Sequence, residues 1–132
     1  MDYYLNYSGS RMQFSLPSGW NVLSSRDCAK APLVEDTGKE VERALDNPAG
    51  TPPLERLAMP GMKIALLFDD MQRPTPAQFA IPAILNRLNK AGVPDDRVTA
   101  ICARGSHPMP NQEQIARKVG QEALQRLVDR IY

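Results

Sequence analysis

The stretch Met62-Lys63-Ile64-Ala65-Leu66-Leu67-Phe68-Asp69-Asp70 decides the fold. Its near-continuous apolar run stops abruptly at two aspartates, a pattern typical of a strand buried on both faces of a parallel sheet. A second strand is predicted over residues 97–103, after the turn Pro94-Asp95-Asp96. Two strands with a helix between them form a βαβ unit, in which the strands lie parallel. The sequence therefore predicts an α/β fold.

The helix between these strands is predicted from Thr75 to Ala91. Thr75, Pro76 and Gln78 match an N-cap, a first-turn proline and a capping box, and Gly92 follows as a C-terminal signal. Pro82 would remove a helical hydrogen bond, so we expect a kink or a later helix start. The predicted apolar stripe consists of Phe79, Ile84, Leu85 and Leu88.

Shorter elements flank this unit. Residues 11–23 alternate loosely around the turn Pro17-Ser18-Gly19 and predict a β-hairpin. Capping by Thr37 predicts a helix over 38–46, and Thr51 with Pro52 predicts a further short helix that buries Leu54 and Leu57. Downstream, Asn111 with Gln114 opens another helix. Helical spacing continues over 121–132, with no third strand expected.

The chain has 132 residues, a length that suits one domain. We expect a single domain over 1–132, with a hairpin and proline-rich lead-in over 1–60 and a βαβα unit over 61–132. The predicted fold class is thus α/β, a partial Rossmann-like parallel sheet preceded by an N-terminal β-hairpin and short helices.

Composition excludes several classes of protein. The 16 Lys and Arg residues against 15 Asp and Glu leave a net charge of +1, too little for a nucleic-acid binder. Cys28 and Cys102 lie far apart without zinc or disulfide spacing, which favours a reducing cytoplasm. The longest uncharged apolar run is only Ile64 to Phe68, so neither a signal peptide nor a membrane span is expected.

Polar residues follow both predicted strands, where ligands bind in open α/β sheets. One loop holds Asp69, Asp70, Gln72 and Arg73, and the other holds Arg104, Ser106 and His107. Because the carboxyl ends of parallel strands meet at one edge, we expect a shared crevice. No metal-ligand cluster is expected in this chain.

Each of these residues has two interpretations. His107 is a general base or acid oriented by Asp70, or a solvated histidine capping the next helix. Arg73 clamps a carboxylate or phosphate, or forms an ordinary loop ion pair with Asp69 or Asp70. One of the two aspartates could also simply cap the turn after the strand.

Three segments together resemble the N-terminal domain of the nickel-dependent lactate racemase family. They are the loop Asp69-Asp70-Met71-Gln72-Arg73-Pro74-Thr75-Pro76, the motif Gly105-Ser106-His107, and the upstream run Asn47-Pro48-Ala49-Gly50-Thr51-Pro52-Pro53-Leu54. The likeness runs from about residue 14 to the end. Gln72 stands where the family usually has threonine, and Pro108 stands where it has arginine.

The resemblance implies a cofactor and roles for five residues. Asp70, Met71, Gln72 and Arg73 would contact a nickel-pincer nucleotide, a pyridinium mononucleotide that carries sulfur-ligated nickel. His107 would be the catalytic proton acceptor and donor. The family's cofactor-anchoring lysine, its nickel-binding histidine and a second base would come from outside this chain, which has a single histidine.

The leading hypothesis is therefore an N-terminal fragment or subunit of an enzyme that racemises or epimerises small 2-hydroxy acids by hydride transfer. The chain alone is expected to be inactive and to require the remainder of the catalytic domain or a second subunit; homo-oligomers are also expected. The alternatives are a stand-alone non-catalytic module that binds an anion or nucleotide, and a purely structural interaction domain.

Overall fold

The computed structural model describes residues 2–7, 9–24 and 33–132. The chain divides into two compact units, residues 1–32 and 33–132. Cys28 lies outside the described residues. No helix in the described part of the chain is long and apolar enough to cross a membrane.

The first unit contains an antiparallel hairpin of β1 (Asp2–Tyr7) and β2 (Ser10–Ser15). The predicted N-terminal hairpin is therefore present, but the range 11–23 was wrong, because the partner of β2 precedes it in the chain. Gly9, with φ +79°, supplies the turn, since glycine adopts this conformation without steric cost. Residues 16–24 follow the hairpin without strand structure.

The second unit is built on a parallel pair, β3 (Ile64–Asp69) and β4 (Val98–Ala103). The register places Ile64 opposite Val98 and Asp69 opposite Ala103. This confirms the predicted α/β fold class. Both strands end at the same edge, and this position brings the loops after them together.

A third strand position is occupied at the end of the chain, where none was expected. Ile131 forms a parallel bridge with Ala100, and the Tyr132 amide donates to the Ala100 carbonyl at 2.9 Å. The last helix ends at Arg126, and Asp129, with φ 58°, helps to turn the chain back to β4. The helical spacing of the apolar residues concealed this, because three residues of strand have no periodicity of their own.

Five helices surround the sheet pair within the second unit. They are α1 (Thr37–Asp46), α2 (Leu54–Leu57), α3 (Ala77–Lys90), α4 (Gln112–Val119) and α5 (Gln121–Arg126). The predicted capping box of Asn111 and Gln114 is confirmed at α4. The N-cap of α1 is Asp36, one residue before the predicted Thr37, because its carboxylate accepts from the Lys39 amide.

The start of α3 differs from its sequence pattern. Its N-cap is Pro76, and the Thr75 hydroxyl donates to the Asp69 carboxylate instead of capping the helix. Pro82 lies inside the helix, which begins later than Thr75 as the sequence allowed. Gly92, with φ +84°, ends it, and a Cβ there would lie 2.8 Å from Pro60 Cγ, so both conformation and packing require glycine.

The core lies between one face of the sheet and helices α3 to α5. Leu85 and Leu88 are buried as predicted, but Phe79 is 45% exposed and Ile81 takes its place at 2%. Leu57 of α2 is also exposed. The buried apolar residues of this core include Leu66, Phe68, Ile81, Leu85, Leu88, Val93, Val98, Val119 and Leu127.

Burial of β3 is one-sided, contrary to the expectation of burial on both faces. Leu66 and Phe68 face the core, whereas Leu67 between them is 68% exposed. Its neighbour across the pair, Ile101, is 38% exposed. The apolar run therefore has the sequence of a fully buried strand, while the described residues cover only one of its faces.

Arg87 joins the short helices to α3. Its guanidinium, 12% exposed, contacts Asp46 at 2.6 Å, Glu55 at 2.9 Å and Glu42. These partners lie on α1 and α2, which have no fully buried residues of their own. One side chain of α3 therefore links both short helices to the rest of the unit.

Candidate functional site

The two loops after β3 and β4 meet at the Asp70 and His107 side chains. Asp70 Oδ2 contacts His107 Nδ1 across 37 residues of sequence. The Asp70 side chain is 10% exposed and that of His107 is 42% exposed. The parallel register produces this contact, because Asp69 lies opposite Ala103 and each loop starts from the same edge. The predicted juxtaposition is confirmed, while the chemical roles of these residues stay predictions.

Asp70 is held as a carboxylate. The hydrogen bond from His107 lowers its pKa below the ordinary value, and the Gln72 amide and the charge of Arg73 lower it further against the effect of burial. Its Oδ1 accepts from the Gln72 amide at 3.0 Å. An ionised carboxylate only accepts hydrogen bonds, so His107 Nδ1 carries the proton in this contact. No hydrogen bond to Nε2 is formed by any residue that the structure describes. Asp70 thus both caps the turn and orients the imidazole.

The loop that carries His107 is closed on itself. The His107 amide donates to the Arg104 carbonyl at 3.1 Å, and the Arg104 guanidinium donates to the His107 carbonyl. Gly105, with φ 58°, allows the tight turn, and nothing lies within 4 Å of a Cβ built there. Within the described part of the chain, the positive φ of the turn therefore accounts for the glycine.

Asp69 does not form a catalytic pair with Asp70. Its Oδ1 lies 2.7 Å from Lys118 Nζ, and its Oδ2 accepts from the Thr75 hydroxyl. The bond from Lys118, followed by that from Thr75, lowers the pKa of Asp69. One oxygen thus contacts α4 and the other contacts the far end of the loop, and only Asp70 of the two aspartates contacts the histidine.

A cleft of about 470 Å³ lies on the other side of the same loop. Arg73 lines it, and its guanidinium forms no ion pair with any residue in the described ranges. Of the two interpretations of Arg73, the loop ion pair with Asp69 or Asp70 is therefore not the one found. Asp70 and His107 do not line the cleft, so the expectation of a crevice shared by both loops was wrong for this cleft, to which the loop of His107 contributes no residue. The other lining residues are Met71, Gln72, Pro74, Thr75, Pro76, Gln78, Gln114, Arg117 and Lys118.

Metal ligands and a reactive thiol are not assembled here. Within residues 2–7, 9–24 and 33–132, no group of three or more His, Cys, Asp or Glu residues could hold a metal ion. Cys102 is a partly buried free thiol, and burial is the main reason that its pKa is raised. The thiol therefore stays protonated at neutral pH, as a core residue does.

Sequence reasoning missed Lys118. It is 7% exposed and donates to the carbonyls of Arg73 and Thr75 at 3.0 and 3.2 Å. The sequence could have indicated that Lys118 is buried, because it follows Ile115 by three residues and precedes Val119 on the apolar stripe of α4. A lysine on such a stripe needs a buried partner, which the pattern alone could not name.

Acid is expected to weaken the fold through these carboxyls. The pKa of Asp69, Asp70 and Asp95 is lowered in each case, for Asp95 chiefly because Arg126 donates to it. A carboxyl with a folded pKa below its unfolded pKa stabilises the fold above the unfolded value, and this is lost as pH falls through the folded value. We expect the free energy of unfolding to fall below about pH 4.

Urea unfolding at a series of pH values between about 7 and 3 measures this dependence. The Asp95→Asn variant is expected to be less stable at neutral pH and to lose less stability on acidification, because one contributing carboxyl is absent. A parent protein with the same free energy of unfolding at both ends of the series would contradict the lowered pKa of these carboxyls.

Comparison with known proteins places these residues in context. Residues 7–132 match the family model described as Lactate racemase N-terminal domain. A lactate racemase of Lactiplantibacillus plantarum is 35% identical over 84 residues, which cover 64% of this chain and 20% of that protein. A lactate racemase of Thermoanaerobacterium thermosaccharolyticum is 28% identical over 120 residues, which cover 90% of this chain and 28% of that protein. The chain thus spans less than a third of the length of either relative.

Proposed function

The chain belongs to the lactate racemase N-terminal domain family, and on that premise we propose that it is the N-terminal part of an enzyme that racemises or epimerises small 2-hydroxy acids. The observation that carries this proposal is the contact between Asp70 and His107. It supplies an oriented, half-exposed imidazole at the ligand-binding edge of a parallel sheet.

In this proposal His107 exchanges a proton with the substrate hydroxyl. Asp70 accepts from Nδ1, which leaves Nε2 of the neutral ring to take the hydroxyl proton as a general base. In the opposite direction of the reaction, protonated Nε2 returns the proton to the substrate oxygen. The carboxylate also stabilises the imidazolium that forms while the proton is held.

The second part of the proposal concerns the cofactor of the family. The nickel-pincer nucleotide, when bound, supplies a hydride acceptor for the substrate carbon. By the resemblance, Asp70, Met71, Gln72 and Arg73 would hold it. Met71, Gln72 and Arg73 line the cleft beside this loop, whereas Asp70 does not. A volume of about 470 Å³ lies within the range of small-molecule sites. The guanidinium of Arg73, which forms no ion pair with the residues that the structure describes, suits a phosphate.

The chain would supply only part of this active site. A racemase needs a base on each side of the substrate carbon, and the sequence contains one histidine. We propose that the second base, the cofactor-anchoring lysine and the nickel-binding histidine belong to the remainder of the catalytic domain or to a second subunit.

The test is an assay of a panel of 2-hydroxy acids, D- and L-lactate included, by chiral chromatography. The purified 132-residue chain is expected to give no interconversion, because it lacks the second base. The complete, cofactor-loaded catalytic domain that includes this chain is expected to interconvert at least one acid. Turnover by the chain alone, or none by the complete domain on any acid, would contradict the proposal.

A non-catalytic nucleotide-binding module is the second candidate. The position of the cleft favours it, since Arg73 lines the cleft and His107 does not. Under this alternative, the chain alone binds a pyridinium mononucleotide such as nicotinic acid mononucleotide. Arg73→Ala would then abolish binding, the complete domain would show no turnover, and His107→Gln would have no effect on binding.

A further inference from the structure

Lys118 is a buried cation that the proposed chemistry does not use. It lies in the last turn of α4 and is 7% exposed. Its ammonium lies 2.7 Å from Asp69 Oδ1 and donates to the carbonyls of Arg73 and Thr75 at 3.0 and 3.2 Å. Two of its three donors are taken by these carbonyls, and the ion pair with Asp69 adds a charged contact.

These three partners belong to one loop. Asp69 is the last residue of β3, Arg73 lies in the middle of the loop, and Thr75 lies just before α3. The Thr75 hydroxyl also donates to Asp69, which closes the loop between its two ends. A buried charge with ideal partners resists displacement, because any movement of the loop leaves the ammonium or the carboxylate unpaired.

The helix that carries Lys118 also follows the His107 loop. Asn111, four residues after His107, is the N-cap of α4 with a complete capping box. The N-terminus of α4 thus fixes the segment that leads from the imidazole, and its C-terminus holds the loop of Asp70. One rigid helix of eight residues therefore relates the two halves of the Asp70–His107 pair.

Lys118 also lines the cleft beside Arg73, so a direct role in ligand binding has to be considered. Its ammonium, however, already donates to two carbonyls and lies 2.7 Å from a carboxylate oxygen, which neutralises its charge. Binding an anion there would require breaking the bond to Asp69. Its contacts therefore favour a role in the shape of the loop over a role in contacting the ligand.

We propose that Lys118 is a positioning residue, which fixes the loop of residues 69–75 on α4 so that Asp70 meets His107 and Arg73 faces the cleft. The significance of this role rests on the proposed function, since the loop is the proposed cofactor-binding segment. The contacts themselves can be tested without cofactor or substrate.

The test compares Lys118→Met with Arg117→Met. Methionine keeps much of the length and apolar character of the buried stem but lacks the ammonium. Arg117 is the adjacent residue, exposed and, among the described residues, paired with Glu113 at 3.3 Å; its replacement removes the same charge from the same helix. Arg117 also lines the cleft, so both measurements are made without ligand. Circular dichroism and the methyl signals of Leu85 and Leu88 report whether the core is intact.

We expect Lys118→Met to loosen the loop while the core signals stay in place. Amide hydrogen exchange at Gln72 and Arg73 should accelerate at least about tenfold, because their partners on Asp70 are no longer held. In carbon-13 spectra the pKa of Asp70 should rise towards its ordinary value as the contact with His107 is lost. Arg117→Met should change neither quantity. Unchanged exchange and an unchanged Asp70 titration in Lys118→Met would overturn the proposal.

The parent protein provides a measurement that does not depend on a folded variant. Nitrogen-15 spectra of the lysine ammonium groups should show slow proton exchange for Lys118 and fast exchange for Lys39, whose side chain is 87% exposed. Equal exchange at the two lysines would overturn the proposal. Titration with nicotinic acid mononucleotide separates the positioning role of Lys118 from the proposed binding of the cofactor by the loop. A loosened loop in Lys118→Met, with no binding by the parent, supports the role of Lys118 and counts against a cofactor-binding loop in the isolated chain.

Discussion

Replacing His107 by glutamine in the complete catalytic domain is expected to lower turnover of 2-hydroxy acids at least about 10²-fold, the usual contribution of a positioned general base. Glutamine keeps a polar side chain of similar reach but cannot exchange a proton near neutral pH. Its amide can still donate to Asp70, so the loop is expected to keep its structure. The loss would therefore come from proton transfer and not from unfolding.

The matched control is Ser106→Ala, which changes the preceding residue of the same turn and leaves the imidazole in place. Turnover of the control should stay within about threefold of the parent, since a change at an exposed position away from such contacts is usually small. Initial rates by chiral chromatography measure both variants, with nickel content and circular dichroism as checks. A His107→Gln enzyme that keeps parental turnover would remove His107 from the reaction.

Leu85→Ala is expected to lower the free energy of unfolding by about 2–5 kcal/mol. Leu85 is completely buried on α3, and its neighbours in the core come from the sheet and from helices α4 and α5. Removal of its branched end leaves a cavity that this close-packed surrounding fills only in part. Many small domains have a stability of about 5–15 kcal/mol, so the variant would be close to unfolding.

Leu67→Ala is the control for this prediction, because it removes the same atoms from a leucine that is 68% exposed. Its expected cost is within about 0.5 kcal/mol, as for surface substitutions in general. Urea unfolding of both variants of the 132-residue chain measures the difference. Equal losses of stability at the two leucines would mean that the one-sided burial of β3 described above is wrong.

Local sequence signals were sufficient to predict most strands and helices of the second unit. The apolar run before Asp69, the capping box at Asn111 and the glycine after α3 each depend on neighbours within a few residues, and each predicted its element correctly. The parallel pairing followed from the order of strand, helix and strand. From that pairing alone, the meeting of Asp70 and His107 could be anticipated.

Errors arose where the partner lies far away in the chain. Thr75 has the sequence of an N-cap, yet its hydroxyl bonds to Asp69. Phe79 and Ile81 are both apolar residues of one helix, and only the position of the sheet and α1 decides which of them is buried. The strand position of Ile131 depends on β4, some thirty residues earlier.

The sequence by itself determined most strands and helices of the second unit, and it placed a carboxylate and an imidazole after two parallel strands. These features follow from backbone preferences and periodicity, which act over a few residues. Only the tertiary structure decided that Asp69 pairs with Lys118 while Asp70 pairs with His107. Adjacent aspartates have the same intrinsic chemistry, and the difference comes from which distant side chain the packing of α4 brings to each oxygen.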